Sequence, residues 1–396
     1  SVDPAELKAM MDGGEDMVIL DSRPMDEYHR MSIPGGIDVP GGELVYRVGD
    51  IVTKASTTIV VNCAGRTRSI LGAESLRSAG VPNKVVALRN GTMGWELAGY
   101  QCDRGKSASF VPGTPASAAE ARARAGQFAA QRGVKTCTRP QLDAMVADTS
   151  RTTYVLDVRD PAEFAAGHLH GSRSAPGGQL VQATDRWVSV RNARIVLLDG
   201  SSFGSRGTQD GVRARMTGGW LRQLGGWEVF VLEDEFTGHF EEGMANPPVP
   251  EADAVTLPVI TAPELMADMG GVQVVDLSRS LDFRDAHVPG AAWGIRTRLD
   301  KLAPRLKQGT ITVVCAPDMA TAKLGAQELH RLLNAPVRIL QGGTAAWIKA
   351  GFEVASDRRN PADTDCVDFY LRPYDRNSGI EEAMRDSVEA TLEWAE

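Results

Sequence analysis

Short apolar runs, each closed by a polar residue or glycine, alternate along most of the chain with stretches of helical spacing. Val18-Ile19-Leu20, Ile59-Val60-Val61 and Val85-Val86-Ala87-Leu88 are such runs near the N-terminus. Unbroken β-branched runs indicate strands buried on both faces, and the amphipathic stretches between them act as crossovers. The pattern therefore predicts an α/β chain of parallel sheets flanked by helices.

The same pattern is written three times. Val18-Ile19-Leu20-Asp21-Ser22-Arg23, Tyr154-Val155-Leu156-Asp157-Val158-Arg159 and Val274-Val275-Asp276-Leu277-Ser278 each end a strand in aspartate. From that aspartate an acid follows at six residues, an aromatic at seven and a turn glycine at fourteen, in every copy. A late strand recurs too, leading into Gly91-Thr92-x-x-Trp95 in the first copy and Gly343-Thr344-x-x-Trp347 in the third. Such agreement defines three homologous modules of ordinary domain size. They span residues 1–104, 133–246 and 259–355, with linkers at 105–132 and 247–258 and a tail at 356–396. Within the first linker, residues 117–131 predict a short exposed helix; the Pro-rich second linker predicts a stiffer spacer. The tail predicts a helix from Ile380 to Trp394 with apolar residues at helical spacing, expected to dock on the domains, with a partner-binding helix as the alternative. Apolar residues precede the first helix of the second and third modules, but only Ser1-Val2 precede that of the first, so an upstream segment, such as another module, is expected.

Composition narrows the partners. A net charge of −8 and the lack of a long basic run argue against nucleic acid and anionic membranes. No run of about 18 apolar residues is present. Five widely spaced cysteines form neither a disulfide framework nor a zinc pattern, and the N-terminus carries no signal-peptide pattern, so a reducing cytoplasm is the expected setting.

The chemistry concentrates in Ile59-Val60-Val61-Asn62-Cys63-Ala64-Gly65-Arg66-Thr67-Arg68-Ser69. This reads as strand, tight loop and helix N-terminus, with Cys63 where open α/β sheets place their ligands. Loop N–H groups, the helix dipole and two guanidiniums converge there, with Ser69 placed to cap the helix. Such surroundings favour the thiolate of Cys63 and an anion held over its sulfur. A buried structural cysteine is the alternative, but unpaired arginines beside it would be costly to bury.

The run Cys63-Ala-Gly-Arg-Thr-Arg-Ser resembles the active-site loop of rhodanese-type sulfurtransferases. The resemblance implies three tandem rhodanese-like domains and a persulfide carried on Cys63. It also implies that Ala64, Gly65, Arg66, Thr67, Arg68 and Ser69 bind an anionic sulfur donor such as thiosulfate, with a thiol or protein as acceptor and no cofactor or metal. Related phosphatases and arsenate reductases use a longer Cys-x5-Arg loop, so that activity is a rival; a sulfur-relay scaffold is another. Counting from the aspartates puts Asp199 at the thiol's place in the second module and Cys315 near it in the third. Asp199 cannot carry sulfur. Around Cys315 the loop has Pro317 and Asp318 and no arginine, so Asp318 is expected to disfavour its thiolate. Both copies are expected to be inactive.

The repeated Asp21, Arg23 and Glu27, like Asp157, Arg159 and Glu163, are expected to be structural, with Arg and Glu paired across the next helix start. Packing roles are expected for His29, His168 and His287, and for Trp95 and Trp347.

Overall fold

The computed structural model of the chain describes residues 1–65, 67–110, 113–200, 211–233, 240–244 and 249–393. Two compact units emerge: Ser1–Asn246 with Met384–Glu396, and Pro247–Ala383. The first contains two of the repeated modules and the second contains the third.

In the first module four parallel strands lie in the order Ile37–Asp38, Met17–Asp21, Thr58–Asn62, Val85–Ala87. Alternate residues of the central strand serve opposite faces. Ile59 and Val61 pack with Leu44, Ala73 and Leu76 on one side. Val60 packs with Leu7, Ile19 and Trp95 on the other. This double burial is why the run is uninterruptedly apolar. Val2 extends the sheet edge as a single-residue bridge, donating to Ala87 O and accepting from Arg89 N, both at 2.9 Å. It does there what longer strands do in the other modules.

The second module orders its parallel strands Lys135–Cys137, Glu228–Leu232, Arg194–Leu198, Thr153–Asp157, Arg173–Ser174. The third orders them Val259–Ile260, Val337–Leu340, Ile311–Cys315, Val272–Asp276, Ala292–Trp293.

One linker expectation needs correction. The first linker carries a helix, Pro115–Gln131, capped by Thr114. It is not an exposed tether. Ala121, Ala125, Phe128 and Ala129 form a buried stripe at helical spacing, packed on the helices Leu44–Ile51 and Val212–Leu224. In the second linker, Pro250–Asp253 forms one helical turn against the helix Met319–Leu333, with Ala252 and Val255 buried. The tail helix runs Ile380–Glu393, and Trp394 lies outside the described residues.

The packing roles hold for Trp95, Trp347, His168 and His287, but not for His29. Trp95 and Trp347 are buried, each indole donating to a carbonyl six residues on. His168 and His287 stack on Phe164 and Phe283 at 3.8 and 3.9 Å between ring centres. His29 is exposed against Lys106 O and has no such stack among the described residues; Ser32 occupies the equivalent position.

At the end of the edge strand, Asp38 lies opposite Asp21 and is buried, with no partner among the described residues for its Oδ1. Burial, then the Asp21 charge, pushes its carboxyl up to about 8. The folded state therefore holds a proton that the unfolded chain releases near pH ~4, and this group costs stability increasingly from about pH 4 to pH 8, by roughly 1.4 kcal/mol per pH unit. Asp38→Asn should raise the melting midpoint, and by more near pH ~8 than near pH ~5. Equal gains at both would contradict this account of the site.

Candidate active site

Cys63 follows the central strand Thr58–Asn62 and is buried, 1% exposed. The strand end is tied down from below. Asn62 Nδ2 donates to Asp21 Oδ2 at 2.8 Å and to Thr92 Oγ1 at 3.0 Å, and Thr92 Oγ1 donates to Cys63 O at 3.1 Å. Asp21 also accepts both prongs of Arg23 at 2.8 Å, and Arg23 reaches on to Met31 O.

The loop itself hangs on the N-terminus of the helix Gly91–Leu97. Thr92 N donates to Cys63 O at 2.8 Å and Met93 N to Ala64 O at 2.9 Å. A trans peptide points its N–H opposite to its C=O. The N–H groups of Ala64 and Gly65 are thus turned away from that helix. Only glycine fits at 91: its φ is +54°, and a Cβ there would lie 2.2 Å from Cys63 O.

The next helix runs Thr67–Ser78. Ser69 is therefore its third residue, fully buried, and not the cap expected of it. Arg66 lies outside the described residues. Arg68 makes a bidentate pair with Glu27, both bonds at 2.8 Å. This corrects the pairing expected within the repeated motif: Arg23 serves the aspartate, and Glu27 serves the loop arginine. The repeated acid six residues after the aspartate was the available signal, but its partner lies 41 residues away.

The other modules show how the same position has diverged. Strand register aligns Asp21 with Asn62, Asp157 with Leu198 and Asp276 with Cys315. In each, the residue after the aspartate donates its N–H to the partner's carbonyl at 2.9–3.0 Å. The residue one step further is Cys63, Asp199 and Ala316. The count to Asp199 is correct. Cys315 is a correction: it matches Asn62, while Ala316 holds the thiol's place. The helix-start glycine agrees, since a Cβ on Gly343 would meet Ala316 O at 2.2 Å. The expected distance failed because the third module is shorter between its aspartate and its central strand.

Cys315 is fully buried, and burial first, then Asp276, raises its thiol well above the ordinary range. Asp318 has another task, capping the following helix by accepting from Thr321 N at 2.8 Å. Asp199 is buried and accepts from Arg213 N at 2.8 Å, Ala214 N at 3.3 Å and Arg213 Nε at 2.8 Å. Arg213 is the counterpart of Arg68, since it pairs with Glu163 as Arg68 pairs with Glu27. Its importance was not visible in the sequence, where it comes after a long Gly/Ser-rich loop; residues 201–210 of that loop lie outside the described residues.

A cysteine at the head of a strand–loop–helix turn, on a parallel α/β module repeated twice with the thiol replaced, defines the class of site. The rhodanese-like domain family matches this chain at residues 3–98, 138–239 and 261–350. The chain belongs to that family. It is similar over 98% of its length to a thiosulfate sulfurtransferase from Pseudomonas aeruginosa, with 40% identity, a TM-score of 0.86 and 72% of that chain covered. A rhodanese-like domain from Anabaena shares 30% identity over 26% of this chain and 78% of its own, with a TM-score of 0.24. An HTH-type transcriptional regulator of Mycobacterium tuberculosis is 32% identical over 102 residues, which is 26% of this chain and 43% of the regulator. The chain thus spans less than half of that regulator's length. Among the described residues no helix is long and apolar enough to cross a membrane.

The two helix-start glycines give a paired test. Gly91→Ala should displace the Cys63 carbonyl and cut sulfurtransferase turnover at least tenfold, since small misplacements at a reacting centre can cost about that much or more. Gly343→Ala, which crowds Ala316 instead, should lower stability and leave turnover within about twofold. Steady-state rates with melting curves would check both, and equal rate losses would contradict the assignment.

Proposed function

We propose that this rhodanese-family sulfurtransferase moves a sulfane sulfur through a persulfide on Cys63. The Cys63 thiolate attacks the outer sulfur of an anionic donor such as thiosulfate. A bond forms between Sγ and that sulfur, the donor's S–S bond breaks, and sulfite leaves with the electron pair. A thiophilic acceptor then attacks the outer sulfur of the persulfide and restores the thiolate: cyanide in an assay, a small thiol or a protein thiol in the cell. The setting is a reducing cytoplasm, with no nucleic acid or membrane as partner. The first module carries the reaction, and the modules at 133–246 and 259–355 are inactive in it.

One observation carries the reading. At the Cys63 position of the second module, the Asp199 carboxylate accepts two N–H groups from the next helix N-terminus and the Nε–H of the loop arginine. An internal anion there supports a cradle suited to negative charge at the same place in the first module. In the first module Ala64 and Gly65 offer N–H groups turned away from the helix Gly91–Leu97, Thr67 and Ser69 stand at the helix start, and Arg68 is oriented by Glu27. Arg66 completes the loop's positive charge. A loop this short suits a sulfur anion better than a phosphate ester, which disfavours phosphatase or arsenate-reductase chemistry.

The test is thiosulfate:cyanide turnover. Cys63→Ser should abolish it, while Cys315→Ser should leave it nearly unchanged. Activity surviving in Cys63→Ser and lost only with Cys315 also replaced would overturn the single-site reading. Arg68→Ala should lower kcat/KM for thiosulfate by about tenfold or more, and Arg68→Lys should not restore it, because a point charge does not reproduce a bidentate fork. Hydrolysis of a phosphate ester exceeding sulfur transfer would favour the rival chemistry.

A further inference from the structure

We propose that Arg213, in a module without a thiol, is a positioning residue for the Cys63 loop, acting across the module boundary through Glu43. The inference rests on the sulfurtransferase reading of Cys63.

Arg213 is 1% exposed and binds carboxylates of both modules. Its Nε–H goes to Asp199, its two terminal nitrogens to Glu163, and Nη1 also to Glu43 Oε1 at 2.7 Å. Glu43 belongs to the first module and uses Oε2 to accept from Arg47 Nε at 2.9 Å. Burial works against the guanidinium's charge, but Asp199, Glu43 and Glu163 hold it firmly protonated. Three carboxylates on one buried arginine make an arrangement that a decayed site has no need to keep. Apolar side chains of similar volume often replace such buried charge networks with no loss of stability.

The contact leads to the reactive loop in two steps. Glu43 stands at the N-cap of the helix Leu44–Ile51. The first residue of that helix, Leu44, is fully buried and lies so close to Gly72 that an added Cβ would be 2.7 Å from its Cδ1. Gly72 is in the helix Thr67–Ser78, whose first turn carries Arg68 and Ser69. A rigidly packed path passes a shift of Glu43 to that first turn with little room to absorb it. The two modules are also in direct backbone contact here: a Cβ on Gly42 would lie 3.2 Å from Gly178 N, and one on Gly178 3.1 Å from Gly42 N. Trp220 of the second module donates to Ser75 Oγ of the same helix at 2.8 Å.

Asp199 therefore does more than mark a lost thiol. Its buried carboxylate in the second cradle orients Arg213, and Arg213 sets Glu43. The second module becomes a fixed jig for the first.

The experiment uses the full chain with Glu43→Gln and Arg213→Lys, each keeping the size of its side chain. The readouts are the rate of Cys63 alkylation by iodoacetamide at one pH, the split of kcat and KM for thiosulfate, and the melting midpoint. Alkylation needs no sulfur donor, so it fails or succeeds independently of the sulfurtransferase reading. Folded variants should show an alkylation rate changed at least threefold and kcat/KM lowered about tenfold, with Arg213→Lys less affected than Glu43→Gln. Folded variants with unchanged alkylation and unchanged kcat/KM would overturn the proposal. Loss of the fold in both would overturn it too, because the network would then hold the unit together without a separate influence on Cys63.

Discussion

The molecule depends on a buried aspartate at the end of one strand in each module. Asp21 and Asp157 accept an arginine two residues on, through paired bonds of 2.6–3.0 Å, and every side chain involved is buried. Such a pair contributes little net stability over an apolar replacement, yet removing one partner costs about 3–5 kcal/mol. Its value is geometric. It fixes the strand end against its neighbour, through Asn62 in the first module, and thereby fixes the residue one step beyond. In the third module the arginine is replaced by Ser278, and Asp276 is satisfied instead by Ser278 N and Thr344 Oγ1 at 2.8 Å. The aspartate outlasts its partner because the strand end still needs an acceptor there.

On that common frame the three modules differ in the residue that caps the central strand's C-terminal end. Cys63 places a thiol there, Asp199 a carboxylate and Ala316 neither. The anion in the second module keeps the arginine of its helix start, whereas the third has lost both the anion and the arginine. Charge at the site and the arginine beside it are retained or lost together, as expected where a buried guanidinium needs a carboxylate to be tolerable.

Much of this was legible in the residues. The apolar runs gave the strands, the repeated Asp-x5-acid-aromatic spacing gave three modules, and Cys63-Ala-Gly-Arg-Thr-Arg gave the strand–loop–helix turn. The illegible part depends on register and on distant partners. Cys315 looked like the third thiol because sequence distance counts residues, whereas position is set by strand pairing, and one step of register separates Cys315 from Ala316. Asp318 looked like a charge beside that thiol, but a helix N-terminus claims its carboxylate. The helix at 115–131 looked exposed because alanine carries little hydrophobic signal, yet Ala121, Ala125 and Ala129 permit close packing. Glu27 with Arg68, and Glu43 with Arg213, are separated by 41 and 170 residues and have no local signature.

The most direct measurement is the intact mass of the protein after thiosulfate treatment, combined with peptide mapping. A gain of one sulfur atom, located on Cys63 and removed by cyanide, is the predicted result. A chain that gains no sulfur, or gains it on another cysteine, would contradict the assignment of the reaction to the first module.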